Sequence, residues 1–127
     1  MKSVLVVESS RLARQLVKQK LAIDGYDVME AENGNQAISI ASSLELDLII
    51  TDVDIPQMSG IELTRELRSR TTYEHTPILL LSATDDRVQK QQALDAGVSG
   101  WLLKPFEARR FYETIDRLPP GQQHRDE

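Results

Sequence analysis

The sequence predicts an α/β fold: a five-stranded parallel sheet with helices on both faces, a three-layer sandwich. Three observations carry this. The runs Val4 to Val7, Leu48 to Ile50 and Ile78 to Leu81 are continuously apolar, as strands buried on both faces are. Segments with apolar residues at helical spacing lie between them. The strand–helix unit occurs five times, and units of this length return through right-handed crossovers to a parallel sheet.

Each element has its own local signal. Val4 to Val7 forms the first strand and ends at Glu8. Ser9 or Ser10 caps the next helix, because a serine oxygen accepts an orphan backbone N–H. Ala13, Leu16, Val17 and Leu21 form its core stripe, and Gly25 stops it. Tyr26 to Ala31 is a weaker strand, and Asn33-Gly34 marks a turn. Ala37, Ile38, Ala41 and Leu44 give a second helix, followed by a strand over Leu46 to Thr51. Ser59-Gly60 opens a third helix with Leu63, Thr64 and Leu67 inward. Thr71 to Thr76 reads as a polar loop. After Pro77, Ile78 to Leu81 is the fourth strand. Thr84-Asp85-Asp86 begins a helix, since acids suit the positive end of a helix dipole. Val88, Gln92 and Leu94 to Ala96 give that helix only a weak core stripe, which predicts loose attachment. Gly100 to Leu103 is the fifth strand, and Phe106, Phe111, Ile115 and Leu118 mark the last helix. The segment from Gly121 to Glu127 is polar and reads as disordered.

At 127 residues, 40% of them hydrophobic, the chain can bury the core of one domain. A net charge of -5 argues against a general nucleic-acid or membrane-surface binder. With 0 cysteines there is neither a disulfide framework nor a thiolate metal site. No apolar stretch approaches membrane-spanning length, so the expected compartment is the cytoplasm.

In such a sheet every strand delivers its last residues to one edge, where ligands bind. That edge would gather Glu8 and Ser9, then Asp52 with Asp54 beyond it, then Ser82, then Lys104. The set suits a phosphoryl acceptor. An aspartate can attack phosphorus and form an aspartyl phosphate. Phosphoryl transfer is mostly positioning and charge neutralisation, so it wants a divalent cation and a lysine. Glu8 and Asp52 offer hard oxygens for Mg²⁺. Lys104 offers a compact positive charge, and Ser82 a hydroxyl for a phosphate oxygen.

These residues in this order resemble the receiver domain of two-component response regulators, of the chemotaxis response-regulator type. The resemblance covers about Lys2 to Leu118. It rests on the acidic position after the first strand, Asp52 with Pro56 and Gly60, Ser82-Ala83, and Lys104-Pro105-Phe106. It implies a flavodoxin-like, doubly wound sheet of order 2-1-3-4-5. Residues 1–118 would be the receiver domain, and 119–127 a polar tail or the start of a linker. Asp52 would accept a phosphoryl group from a phosphohistidine on a sensor histidine kinase or phosphotransfer protein. The chain would be a phosphoacceptor that catalyses its own phosphotransfer and dephosphorylation, not an enzyme with a separate substrate. Asp54 would give its backbone carbonyl to Mg²⁺, while Asp54 and Thr84 would tune phosphate lifetime. Ser82 would swing toward the phosphate, and Trp101 would turn inward as the switch aromatic. The Lys104–Pro105 bond would be cis, against the ordinary trans preference. The surface of the fourth helix, fifth strand and last helix would then select a downstream protein or output domain. Homodimers would pair through the face containing the last helix, and Arg109, Arg110 and Tyr112 there are either a solvated face or partner contacts. The expectation is either a single-domain regulator that acts by protein contact or a receiver whose linker begins at Pro119 to Glu127.

One departure stands out. The family carries two adjacent acids after the first strand, and here the pair is Glu8-Ser9. A serine hydroxyl is a much poorer Mg²⁺ ligand than a carboxylate, so the site is expected to bind metal weakly. Losing one anion also lets Lys104 pair with Asp52 without a metal. This motivates a second reading, a phosphorylation-independent pseudo-receiver that binds partners constitutively. A third, an Asp-nucleophile phosphatase, would use Asp54 as its second acid but lacks a cap domain. No G-x-G-x-x-G follows the first strand, which argues against a dinucleotide site.

Overall fold

The computed structural model describes residues 2–119, so the polar tail expected from Gly121 onward lies outside the described residues. The elements run β1 (Ser3–Val7), α1 (Arg11–Ile23), β2 (Asp27–Ala31), α2 (Gly34–Ser43), β3 (Leu48–Asp52), α3 (Gly60–Arg68), β4 (Ile78–Ser82), α4 (Arg87–Ala96), β5 (Gly100–Leu103) and α5 (Ala108–Arg117). The strands form one parallel sheet in the order β2-β1-β3-β4-β5. The fold expected from the sequence is therefore the one observed.

The sheet divides the core in two. One side holds Leu5, Val7, Ile49 and Leu80 against Ala37 and Ala41 of α2, Leu63 and Leu67 of α3, and Ala93 and Ala96 of α4. The other holds Val4, Val6, Ile50 and Leu81 against Val17 and Leu21 of α1 and Phe111 of α5. Successive strand residues point to opposite faces, and both faces are covered, which explains the continuous apolar runs.

Several local expectations need correction. Ser10, not Ser9, caps α1, its hydroxyl accepting the Ala13 N–H. Leu16 and Leu44 are exposed, because Val17 and Leu21 already fill the inner face of α1 and Leu44 lies past the end of α2. Asn33 is more than a turn residue: its side chain accepts from Gln36 and caps α2. Strands β2 and β3 start one and two residues later than expected, at Asp27 and Leu48. Helix α5 begins at Ala108 after the N-cap Glu107, so Phe106 precedes it and stacks on Phe111 with centroids 5.6 Å apart.

The polar stretch 71–76 is not merely loop. Thr71–Tyr73 is a 3₁₀ turn, and Tyr73 and Thr76 are buried. The Tyr73 hydroxyl lies against the carbonyls of Ala41, at 2.7 Å, and Leu44. The inner face of α4 is Gln89, Ala93 and Ala96, whereas Val88 and Leu94 are 65% and 53% exposed. Small residues face the core because α4 lies close to α3, and the larger apolar ones point to solvent.

Candidate functional site

Asp52 ends β3 and Leu81 is its partner across the ladder to β4, so its carboxylate emerges at the carboxyl edge of the sheet. Glu8 follows β1, tied by its N–H to the Ala31 carbonyl. Both carboxylate residues are 5% exposed. Gly60, at the start of α3, packs so tightly on the β3 end that a Cβ there would run into the Asp52 carbonyl oxygen. The α3 N-terminus is fixed by a capping box, with Ser59 and Glu62 satisfying each other's backbone N–H. The backbone around Asp52 is thus held from two sides.

Lys104 follows β5, its N–H bonded to the Ser82 carbonyl at 2.7 Å and its peptide bond to Pro105 cis. The Lys104 ammonium donates to Asp52 Oδ2 at 2.8 Å and lies 3.6 Å from Glu8 Oε1. Burial pulls the ammonium pKa down, but its bond to Asp52 and the charges of both acids outweigh that and raise it. Burial also pushes the Glu8 carboxyl up. The Ser10 N–H that donates to Glu8 Oε2 opposes this, and the neighbouring Asp52 adds to it. Two acids thus crowd one lysine.

The hydroxyl of Ser82, at the end of β4, is engaged locally. It accepts the Thr84 N–H at 3.1 Å and lies 3.0 Å from the Thr84 carbonyl and 3.2 Å from Gln89 Oε1. With a single proton it donates to one of these acceptors at a time. Trp101, paired in register with Leu80, packs partly buried on the α3–α4 side, and its buried Nε1 has no partner among the described residues. Leu102 points to the opposite face.

The structure brings Glu8, Asp52 and Lys104 into direct contact, with Ser82 at the end of the neighbouring strand. Asp54, Thr84 and Ser9 are exposed on the surrounding loops. Among the described residues no three His, Cys, Asp or Glu side chains cluster as a metal cage. Two buried carboxylates sharing one cation are nevertheless a donor set with the hard oxygens and negative charge that suit Mg²⁺.

Two supporting residues escaped the sequence reading. Gln89 reaches Ser82 from α4, but a lone helical glutamine belongs to no motif. Arg14 donates from its guanidinium to the Glu8 carbonyl at 2.7 Å and to Glu30 at 2.9 Å, holding the β1 end against β2. Its place one turn into α1, beside the acidic edge, was the available signal. An apolar groove of about 420 Å³ opens beside the carboxylates, lined by Ala13, Leu16, Val17, Leu81 and Phe106 and flanked by Lys104.

Known proteins resemble the chain over most of its length. Residues 4–116 match the response regulator receiver domain. The chain is 32% identical over 116 residues to the chemotaxis protein CheY-3 of Vibrio cholerae, covering 91% of this chain and 89% of that one. The structure of the chemotaxis response regulator CheY4 of Vibrio cholerae superposes with a TM-score of 0.88 at 37% identity, covering 92% of this chain and 98% of the other. The receiver domain of sensor histidine kinase PA1611 from Pseudomonas aeruginosa PAO1, described with a magnesium ion in its active site cleft, aligns with a TM-score of 0.84 at 27% identity over 92% of this chain and 96% of that one. The match spans nearly every described element, and the chain belongs to the response regulator receiver domain family of two-component signalling.

Proposed function

We propose that Asp52 accepts a phosphoryl group from a phosphohistidine on a sensor histidine kinase or phosphotransfer protein, and that the modified domain presents a changed α4–β5–α5 surface to a downstream protein. The observation that carries this is the 2.8 Å bond between Lys104 and the Asp52 carboxylate at the carboxyl edge of the sheet. A carboxylate oxygen of Asp52 attacks phosphorus, and the P–N bond of the donor breaks with its electron pair returning to the imidazole nitrogen. Lys104, already seated, holds the new phosphoryl oxygens by charge. The groove beside α1 gives the donor's apolar surface a place to dock within reach of Asp52. Glu8, Asp52 and the Asp54 carbonyl would hold Mg²⁺, which when bound neutralises phosphoryl oxygen charge; Ser9 adds at most a weak ligand. Asp54 and Thr84, on the exposed rim, tune phosphate lifetime. The unit that performs this is residues 1–118, with 119–127 as tail or linker.

Phosphorylation adds about one negative charge and new acceptor oxygens. Ser82 turns to them, α4 shifts, and Trp101 repacks, a population shift between two packings. The test is incubation with Mg²⁺ and a small acyl phosphate donor, read by mass. A phosphoryl adduct on Asp52 is expected. No adduct from that donor or from a cognate kinase ends the proposal.

A second reading is favoured by one observation: Lys104 already contacts both acids where Ser9 replaces an acid. In that reading the Asp52–Lys104 pair is structural and partner binding is constitutive. Tight Mg²⁺ binding that quenches Trp101 fluorescence would count against it.

A further inference from the structure

Gln89 stands in the first turn of α4, three residues after the N-cap Asp86. Its side chain is half-buried, and its Oε1 sits 3.2 Å from the Ser82 hydroxyl. The same hydroxyl accepts the Thr84 N–H, so its proton and one lone pair face the loop and α4. To reach a group on Asp52, Ser82 must give up these partners. We propose that Gln89 is a positioning residue that latches Ser82 away from the acceptor site, so that the hydroxyl engages a phosphoryl group only as the first turn of α4 lets go. The inference rests on the phosphoacceptor reading above and adds to it the residue that sets the resting state.

Three further features make the latch a coupling device. The N-terminal half of α4 is lightly held, with Val88 exposed. A polar cavity of about 350 Å³ between α3 and α4, lined by Gln89, Gln92, Asp54, Glu62 and Arg65, gives the freed glutamine room. The other end of α4 is pinned, because the Arg68 guanidinium donates to the Gly97 carbonyl at 2.9 Å. Gly97 itself closes α4 at φ 107, a conformation that suits glycine. Release at Gln89 therefore pivots α4 about its C-terminal end.

The experiment is a double-mutant cycle of Gln89→Ala and Ser82→Ala, read by Mg²⁺-dependent fluoroberyllate binding through Trp101 fluorescence. Gln89→Ala is expected to tighten fluoroberyllate binding by up to about fivefold, the equilibrium worth of one ordinary hydrogen bond, since the Thr84 carbonyl at 3.0 Å still accepts the Ser82 proton in part. In the Ser82→Ala background the same change should have almost no effect. No tightening, or an equal effect in both backgrounds, overturns the latch. Amide exchange of the free protein gives a readout that needs no phosphoryl analogue. Thr84 and the first turn of α4 should exchange faster in Gln89→Ala, and no faster in the double variant than in Ser82→Ala. If wild type binds no fluoroberyllate, the phosphoacceptor reading fails. The Gln89–Ser82 contact is then still judged by exchange, and unchanged protection at Thr84 overturns it.

Discussion

Lys104 bridges two acids: its ammonium donates to Asp52 at 2.8 Å and stands 3.6 Å from Glu8. Removing it leaves two buried carboxylates with no cation between them. Lys104→Ala should therefore lower stability by about 1–3 kcal/mol, less than a fully buried pair would because the ammonium is partly exposed. Asp52→Asn in that background should recover most of the loss. Urea unfolding at neutral pH checks both, and an unchanged midpoint for Lys104→Ala would refute the bridging role.

Arg68 is a half-buried cation that pairs with no carboxylate among the described residues. Burial lowers its pKa, and its guanidinium donates to the carbonyls of Gly97, Tyr73 and Thr76 and to the Ser99 hydroxyl. It joins the end of α3 to the 3₁₀ turn and to the loop before β5. Arg68→Ala strands three carbonyls and should cost about 2–4 kcal/mol. Arg68→Lys should restore only part, since an ammonium lacks the planar fork. Thermal melts of the two variants decide this, and equal values would show that charge alone matters.

Tyr73 is fully buried, with its hydroxyl against the carbonyls of Ala41 and Leu44. Tyr73→Phe keeps the ring and removes the donor, so the loss should be about 1–2 kcal/mol. Amide exchange should rise at the end of α2, where the freed carbonyls lie. Wild-type stability in the variant would mean that water replaces the hydroxyl without cost.

Glu30 on β2 gives a pH test away from the acidic site. The hydrogen bonds from Lys18 and Arg14 hold its carboxyl below the usual glutamate value. A depressed folded-state pKa contributes stability that is present above the unfolded pKa and lost as pH falls through the folded one. Glu30→Gln should flatten the acid limb of the stability curve below the ordinary glutamate range. The difference at neutral pH should be about 1 kcal/mol or less, because the pair is partly solvated. Parallel limbs for wild type and variant would rule the contribution out.

The strands were legible because a sheet buried on both faces demands unbroken apolar runs, and Val4 to Val7 and Ile78 to Leu81 supply them. The convergence of Glu8, Asp52 and Lys104 followed from topology alone, since parallel strands share one carboxyl edge. What escaped were side chains whose partners lie far away in sequence. Arg68 reads as a surface residue of an amphipathic helix, yet it serves carbonyls up to 29 residues on. Tyr73 and Thr76 sit in a stretch of polar composition and are nevertheless buried: the Ala41 carbonyl of α2 accepts the Tyr73 hydroxyl, and Arg68 donates to the Thr76 carbonyl, while among the described residues the Thr76 hydroxyl finds no partner. The inner face of α4 was misjudged because alanine carries little hydrophobic signal, although Ala93 and Ala96 at helical spacing were visible.

The two-sided core has a practical corollary at β5. Trp101 and Leu102 are adjacent in sequence, but the sheet lies between their side chains. The indole is thus a detector with one field of view: it senses repacking beneath α3 and α4 and is blind to the α1–α5 side. A second fluorophore placed beside Phe111 would watch the other compartment. Docking of a phosphodonor beside α1 and release of α4 could then be timed separately in a single molecule.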